Sequence, residues 1–364
     1  MFSDIMAQKI MTEGMIYMKG NHRVHEPIIE CQAPVYRAWR AVGKPGKLDG
    51  DVTKDFWKRG EWIEELHDIE GDTLPRPWKH TMIKVLWDEE AIWVAAKLTD
   101  DTIWATVENR DEIIYVDNDF EVFLAPQDTS HRYYELEMNA MNSVWDLMME
   151  RPMRDCVRRI IGWDIKGLES AVKVEGELNN PSADNKYWSV ELKIPWFSLR
   201  ECPLDQCYPP KLAPAVGDIW RMNFSRVEYE VDIVDNKYVK RCDENGKCLP
   251  EHNWVWVPTG VIDIHMPEMW GYLIFTENGE DKYELPRYDE AKLKLYKLYY
   301  REHAYSCEHG CFTDDVKLLL GEEGEKWGIR AYVTPSMFEG IMEFEGKQYH
   351  IRNDGYFWEG EFNE

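Results

Sequence analysis

No run of apolar residues in this chain approaches the ~20 that a bilayer-spanning helix requires. Positive charge is also scarce. The 364 residues carry 43 Lys and Arg against 68 Asp and Glu, a net charge of −25. That balance argues against nucleic acid and anionic membrane surfaces as partners, because both need a basic patch. A Gly-rich phosphate loop, a β-α-β alternation and internal repeats are all missing. The start, Met1 to Lys9, lacks the basic segment and apolar core of a signal peptide, so a cytoplasmic location is expected. No Cys-x2-Cys pair occurs among the eight cysteines, Cys31, Cys156, Cys202, Cys207, Cys242, Cys248, Cys307 and Cys311. Reduced structural thiols are therefore expected, rather than a zinc site or a disulfide framework.

What the chain has in plenty is aromatic side chains, 17 Trp and 19 Tyr, in a 44% apolar sequence. Most of these rings must fill a core. A surplus of rings in an acidic chain favours a sugar ligand, because sugar faces stack on flat rings and sugar hydroxyls pair with carboxylates and amides. The length allows two domains, or one large domain with an appendage.

The stretch from Met82 to Ala125 organises the rest. Ile83, Val85 and Trp87 alternate with Lys84 and Leu86. Asp88-Glu-Glu90 makes a polar turn. Ile92, Val94, Ala96 and Leu98 alternate with Trp93, Ala95 and Lys97. The two runs predict an antiparallel hairpin. A third strand follows an acidic connection that contains Tyr115. Its Phe120, Val122 and Leu124 share one face, and Asp119, Glu121 and Phe123 the other. Successive strand side chains point to opposite sides, so one face builds core while the other offers polar groups to a ligand.

Further strands are expected at Tyr36–Trp39 (as an edge), His131–Asn142, Val144–Met148, Trp188–Ile194, Trp220–Phe224 and Trp254–Trp256. A short helix is expected at Val52–Trp57, and Gly50 is expected in a turn at positive φ. Many short strands with turn signals between them argue an antiparallel β-sandwich. After a polar stretch at 276–282, Tyr288–Tyr305 reads as a long helix. Thr313 is expected to cap a second helix, 314–320, ended by Gly321. Four short strands then form a meander. The expected units are an N-terminal arm (1–46), the sandwich (47–279) and a small α+β extension (280–364), which packs on the sandwich or mediates association.

Several motifs carry a family resemblance, in order: Leu48-Asp-Gly50, the Val85-Leu-Trp-Asp-Glu89 hairpin, Tyr115 ahead of Asp119-Phe-Glu-Val-Phe123, and Tyr133-Tyr-Glu-Leu-Glu-Met-Asn139 with Trp145-Asp146. They continue with Ile194-Pro-Trp-Phe-Ser-Leu199, Gly217-Asp-Ile-Trp-Arg-Met-Asn-Phe-Ser-Arg226 and His265-Met-Pro-Glu-Met-Trp-Gly271. Between about Leu48 and Phe275 the chain resembles the family-9-like carbohydrate-binding modules, the xylanase-associated superfamily, in a bacterial branch with an appended extension. The resemblance implies a jelly-roll-like sandwich and non-catalytic sugar binding in support of polysaccharide or oligosaccharide use. It also implies secretion as the alternative location.

In that family, two aromatic rings form the ligand slot over a polar floor. Carried over, Tyr115 is one stacking ring and Glu121 a ligand-contacting carboxylate, while Glu137 falls where a family member has a basic residue. The second ring has no direct match; Ile264 and His265 are nearest, with Trp254 and Trp256 upstream. Asn139, Asn223 and Arg226 complete the expected ligand contacts with Trp256 and His265. No cofactor is required; calcium at Asp100 and Asp101 is what the resemblance implies. Beside the ligand role stand plainer ones: Tyr115 as a lone exposed ring, Glu121 and Glu137 paired with Arg221 or Arg226, and His265 bonded to a loop carbonyl. Two other functions remain open. One is a glycoside hydrolase using Glu121, Glu135 and Glu137, although two of these on one strand do not flank a substrate. The other is an assembly module that has lost its sugar site.

Overall fold

The computed structural model describes residues 23–155, 159–160, 162–200 and 213–360; Cys156, Cys202 and Cys207 lie outside them. Its strands are β1 (Val35–Arg40), β2 (His67–Asp68), β3 (Thr81–Trp87), β4 (Ala91–Thr99), β5 (Asp119–Ala125), β6 (Tyr133–Asn139) and β7 (Val144–Met149). Next come β8 (Arg159–Ile160), β9 (Glu169–Glu175), β10 (Tyr187–Pro195), β11 (Ile219–Glu228), β12 (Val231–Val234), β13 (Lys237–Lys240), β14 (His252–Val255) and β15 (Gly271–Thr276). The C-terminal part holds α1 (Asp289–His309), α2 (Val316–Lys326), β16 (Arg330–Val333), β17 (Phe338–Phe344), β18 (Lys347–Arg352) and β19 (Phe357–Gly360).

One sheet runs β8-β7-β6-β5-β11-β15-β1-β3-β4-β10-β9, with β14 and β2 attached beside β11. It curls over on itself into two layers. Phe120, Val122 and Leu124 of β5, with Tyr134, Leu136 and Met138 of β6, meet Val85, Val94, Leu98, Trp188 and Leu192 of the β3-β4-β10 side in one buried cluster. The alternation predicted this facing: period-2 apolar residues point inward, and the residues between them point out. The mainly β sandwich with a small α+β C-terminal part is thus the observed fold.

Two expectations about the sheet are corrected. β1 is no edge strand; it lies between β15 and β3 and runs parallel to both. The expected antiparallel pattern therefore breaks at one place. Tyr36 explains why β1 is held inside: its hydroxyl donates to the Glu61 carbonyl at 2.7 Å and accepts from the Val85 amide at 3.0 Å.

The outer face of β3-β4 is covered by the segment at 48–58. Leu48, Val52, Phe56 and Trp57 pack on Leu86, Ala91, Trp93 and Ala95. The expected short helix is a single 3-10 turn, Asp55–Lys58. Gly50 has φ +79°, and a Cβ there would lie 2.3 Å from the Lys173 amide nitrogen. Glycine is needed at this turn both for conformation and for space.

In the C-terminal part, α1 packs against β17 and β18 around Leu295, Leu298, Tyr299, Met342 and Ile351, and α2 packs on α1. The second helix starts later than expected. Asp315, rather than Thr313, caps it by accepting from the Leu318 amide at 2.9 Å. Gly321 (φ 64°, ψ −152°) interrupts this helix rather than ending it. This part docks on the sandwich through buried charge. Arg221 of β11 donates to Asp128 and to Asp289 of α1, and Lys292 of α1 donates to Asp128 at 2.6 Å. Arg154 and the Tyr300 hydroxyl both donate to Glu268, at 2.6 and 2.7 Å.

Candidate functional site

The outward faces of β5, β6, β7 and β11 form the floor of one concavity. Register places Glu121 of β5 opposite Glu137 of β6 and Ser225 of β11, and Glu137 opposite Trp145 of β7. Glu135, two residues before Glu137, shares its face. Together these line a cavity of about 330 Å³ with Tyr115, Leu147, Arg159, Asn253, Ile262 and His265 around it. That volume is at the small end of the ~300–1,000 Å³ typical of ligand pockets. Ile262, 72% exposed, lines the same cavity, and Tyr115 stands at the rim, 43% exposed. Its ring centroid is 6.3 Å from that of the buried Trp145, at a 37° tilt. Arg159 lies over the Trp145 ring at 5.6 Å.

The floor is unusually acidic. Glu121, Glu135 and Glu137 are buried, and Asp119 lies beside them, fully buried. Burial pushes the Glu121 carboxyl up to about 7. Burial and the neighbouring Glu121 push Glu135 up to about 8. The same causes hold Glu137 and Asp119 well above the usual carboxylate range. Water that would stabilise the charges is excluded, and each charge opposes the next. Near neutral pH, some of these carboxyls therefore keep a proton and can donate as well as accept. His265 bonds the Tyr133 hydroxyl through Nδ1 at 2.8 Å. Burial lowers its pKa to about 4, so it is neutral at pH 7.

Of the residues expected at the site, the structure brings together Tyr115, Glu121, Glu137 and His265. It places the other four elsewhere. Asn139 is closed on itself by the Val107 carbonyl, Asp117 and the amides of Met141 and Ser143. Asn223 clips Val257 by donating to its carbonyl and accepting from its amide. Arg226 is buried against Glu228 and the Trp254 ring. Trp256 belongs to the core between the layers. These four side chains are spent on structure and do not line the cavity. The plainer pairing for Glu121 and Glu137 is not seen either, since Arg221 pairs with Asp128 and Asp289, and Arg226 with Glu228.

The Asp100–Asp101 pair does not fit calcium. Lys79 donates to Asp100 at 2.5 Å, and Arg226 lies 3.6 Å from its other oxygen. Two cations already neutralise that carboxylate, while the Asp101 side chain is 81% exposed.

Sequence reasoning missed Trp145, Arg159, Ser225 and Asn253 as pocket residues. Trp145 had a legible signal: the tight turn after Asn139 sets the β6–β7 register that places it opposite Glu137. Arg159, Ser225 and Asn253 come from distant segments and carried no local signal.

Comparison with known proteins finds that residues 48–208 match the family model "Carbohydrate family 9 binding domain-like". No curated protein sequence matches the chain. Among solved structures, a proposed carbohydrate-binding protein from Bacteroides uniformis is similar at 14% identity and TM-score 0.46, over 67% of this chain and 100% of its own. A carbohydrate-binding module of family 9 from Caldicellulosiruptor kristjanssonii, in complex with cellotriose, is similar at 16% identity and TM-score 0.41, over 69% of this chain and 98% of its own. Its glucose complex is similar at 16% identity and TM-score 0.39, over 68% and 98%. The matched segment contains Tyr115, Glu121, Glu135, Glu137, Trp145 and Arg159. The resemblance legible in the sequence is therefore to the carbohydrate family 9 binding domain-like family, and residues 48–208 are the part of this chain that carries it.

Proposed function

We propose that this protein binds a carbohydrate in the Tyr115–Trp145 cavity without acting on it, in support of polysaccharide or oligosaccharide use. The observation that carries the reading is the cavity itself. A half-exposed ring and apolar rim stand over a floor of carboxyls that can donate and accept, and most of these residues lie in the family-matched segment. A sugar ring lays one face on Tyr115, while its hydroxyls pair with Glu121, Glu137 and Ser225. Asn253 and Arg159 supply further donors at the wall.

Raised carboxyl pKa values in a cavity are also what a general acid needs, so a hydrolase deserves comparison. Glycoside hydrolysis requires two carboxyls on opposite sides of the scissile bond, ~5–5.5 Å or ~6.5–9.5 Å apart. Here oxygens of Asp119, Glu121 and Glu137 all lie within 4.8 Å of one another, with Glu121 and Glu137 on the floor and Asp119 buried beside them. A substrate rests on them and is not flanked by them. Binding fits this geometry better than catalysis.

The test is calorimetry with oligosaccharides selected on a glycan array. Tyr115→Ala should weaken binding about fivefold to tenfold, the worth of one ring contact of ~1 kcal/mol. Glu121→Gln should weaken it more at a pH above about 7, where the Glu121 carboxyl is ionised, since a hydrogen bond to a charged group is worth ~1.5–3 kcal/mol. Equal affinity in both variants would place the sugar elsewhere.

A further inference from the structure

Three groups of acidic side chains have oxygens or ring nitrogens close enough to share one ion, among the described residues: His131, Asp155 and Asp354; Asp111, Asp146 and Asp164; and Asp119, Glu121 and Glu137. The first two already contain a cation. Arg151 reaches Asp155 at 3.2 Å and Asp354 at 3.5 Å, and Arg352 reaches Asp354 at 2.7 Å. Arg110 reaches Asp146, as well as Asp164 at 3.4 Å and Asp111 at 3.6 Å. The third group has no such ion pair among the described residues, although it is the most deeply buried of the three.

An independent feature points into the same place. Asp119 Oδ2 is buried without a hydrogen-bond partner among the described residues, its other oxygen being taken by the Val227 amide at 3.1 Å. Glu135 stands outside the three-residue group but on the same floor, and its Oε2 is equally buried and lacks a partner among the described residues. Native proteins seldom leave such atoms unsatisfied. Four buried carboxyls with two open oxygens resist full ionisation unless a positive charge joins them.

We infer that Asp119, Glu121 and Glu137, with Glu135 beside them, form a binding site for one hard divalent cation of the calcium class at the floor of the cavity. Oxygen-only donors suit such an ion, which takes six to eight oxygens at ~2.3–2.6 Å and tolerates irregular geometry. Water from the cavity completes the shell. The inference stands on the carboxylates alone, and sugar binding is not needed for it.

The experiment uses the full chain, stripped with EDTA, and titrates CaCl2 and then MnCl2 by calorimetry, with thermal melts alongside. One ion per chain is expected, with a rise in melting temperature as the ion fills the site. Asp119→Asn and Glu137→Gln should each weaken binding at least about tenfold, because affinity follows the number of charged ligands. Asp111→Asn, in the group already neutralised by Arg110, should leave affinity unchanged. Both site variants remove one of several opposed charges, so without ion they should melt no lower than the parent. If either fails to fold, Glu135→Gln takes its place. Absence of any heat and any melting shift at millimolar ion overturns the inference. So does ion binding that survives in both variants, or that is lost in Asp111→Asn. Oligosaccharide titration with and without the ion is read separately, so a missing sugar site does not disguise a present metal site.

Discussion

Removing Glu191 should loosen the turn that carries the Leu48-Asp-Gly50 motif. The Glu191 side chain is fully buried on β10. Its Oε2 accepts from the amides of Asp49 and Gly50, both at 3.0 Å, and from Lys54 Nζ at 2.6 Å. Its Oε1 accepts from the Trp57 indole at 2.7 Å. One carboxylate thus fastens the whole 49–57 segment to the sheet, over the apolar patch formed with Trp93 and Leu86. Glu191→Ala strands the buried N–H groups of Gly50 and Trp57 and the part-buried amide of Asp49, at ~1 kcal/mol or more each, and leaves an ammonium without its partner. Lys54 is 20% exposed and turns partly to water and to Asp49, which lies 2.8 Å away. The net loss should be on the order of 4 kcal/mol. Glu191→Gln keeps one acceptor oxygen and should lose about half as much. Urea unfolding at pH 7, followed by tryptophan fluorescence, should show a midpoint lower by on the order of 1 M for the alanine variant. A loss below about 1 kcal/mol would mean that water replaces the carboxylate at little cost, and the clasp argument would be wrong.

Gly50→Ala should be at least as damaging as Glu191→Gln. Its new Cβ meets the β9 backbone at 2.3 Å, and the variant can be checked in the same urea series. Acid should destabilise the C-terminal part through His303, whose Nε2 bonds the Asn353 carbonyl at 2.7 Å and whose pKa burial lowers to about 4. The unfolded histidine takes a proton below ~6.5 while the folded one resists it. Stability should therefore fall as pH drops from about 6.5 towards 4, and a flatter profile in His303→Gln would be seen by circular dichroism melts. Ending the chain at residue 279 should leave Asp128, Arg221 and Glu268 without their α1 partners, so the shortened chain should melt lower or aggregate; an unchanged melting temperature would refute the docking account. Cys242 and Cys248 face each other at an unbonded position of an antiparallel pair, with Sγ atoms 3.2 Å apart. That position suits a cross-strand disulfide. Glutathione disulfide should close it, with a mass loss of two hydrogens that Cys248→Ser abolishes.

The fold was legible where periodicity and partner lie close together in the chain. The β3–β4 hairpin and the inward faces of β5 and β6 follow from alternation alone, since only one face of each could be buried. From sequence β1 reads as an edge because its partners, Leu86–Trp87 and Tyr272–Thr276, lie far away in the chain; pairing of that range leaves no local mark. The site divides in the same way. Strand phase put Glu121 and Glu137 on the open face correctly. It also put Asn139 and Asn223 there, and what phase does not reveal is the loop that covers a face. Val107 closes over Asn139 and Val257 over Asn223. Charge pairing was equally hidden: Lys79 and Arg226 converge on Asp100 from separate strands, which removes it as a calcium ligand.

The central claim is that the Tyr115–Trp145 cavity holds a sugar. Its most direct test is a glycan array on the purified full chain, followed by calorimetry on the strongest hit, with and without calcium. The account predicts saturable binding that Tyr115→Ala weakens and Glu121→Gln weakens further. A folded protein that binds no glycan at all, or whose binding ignores both substitutions, would contradict it.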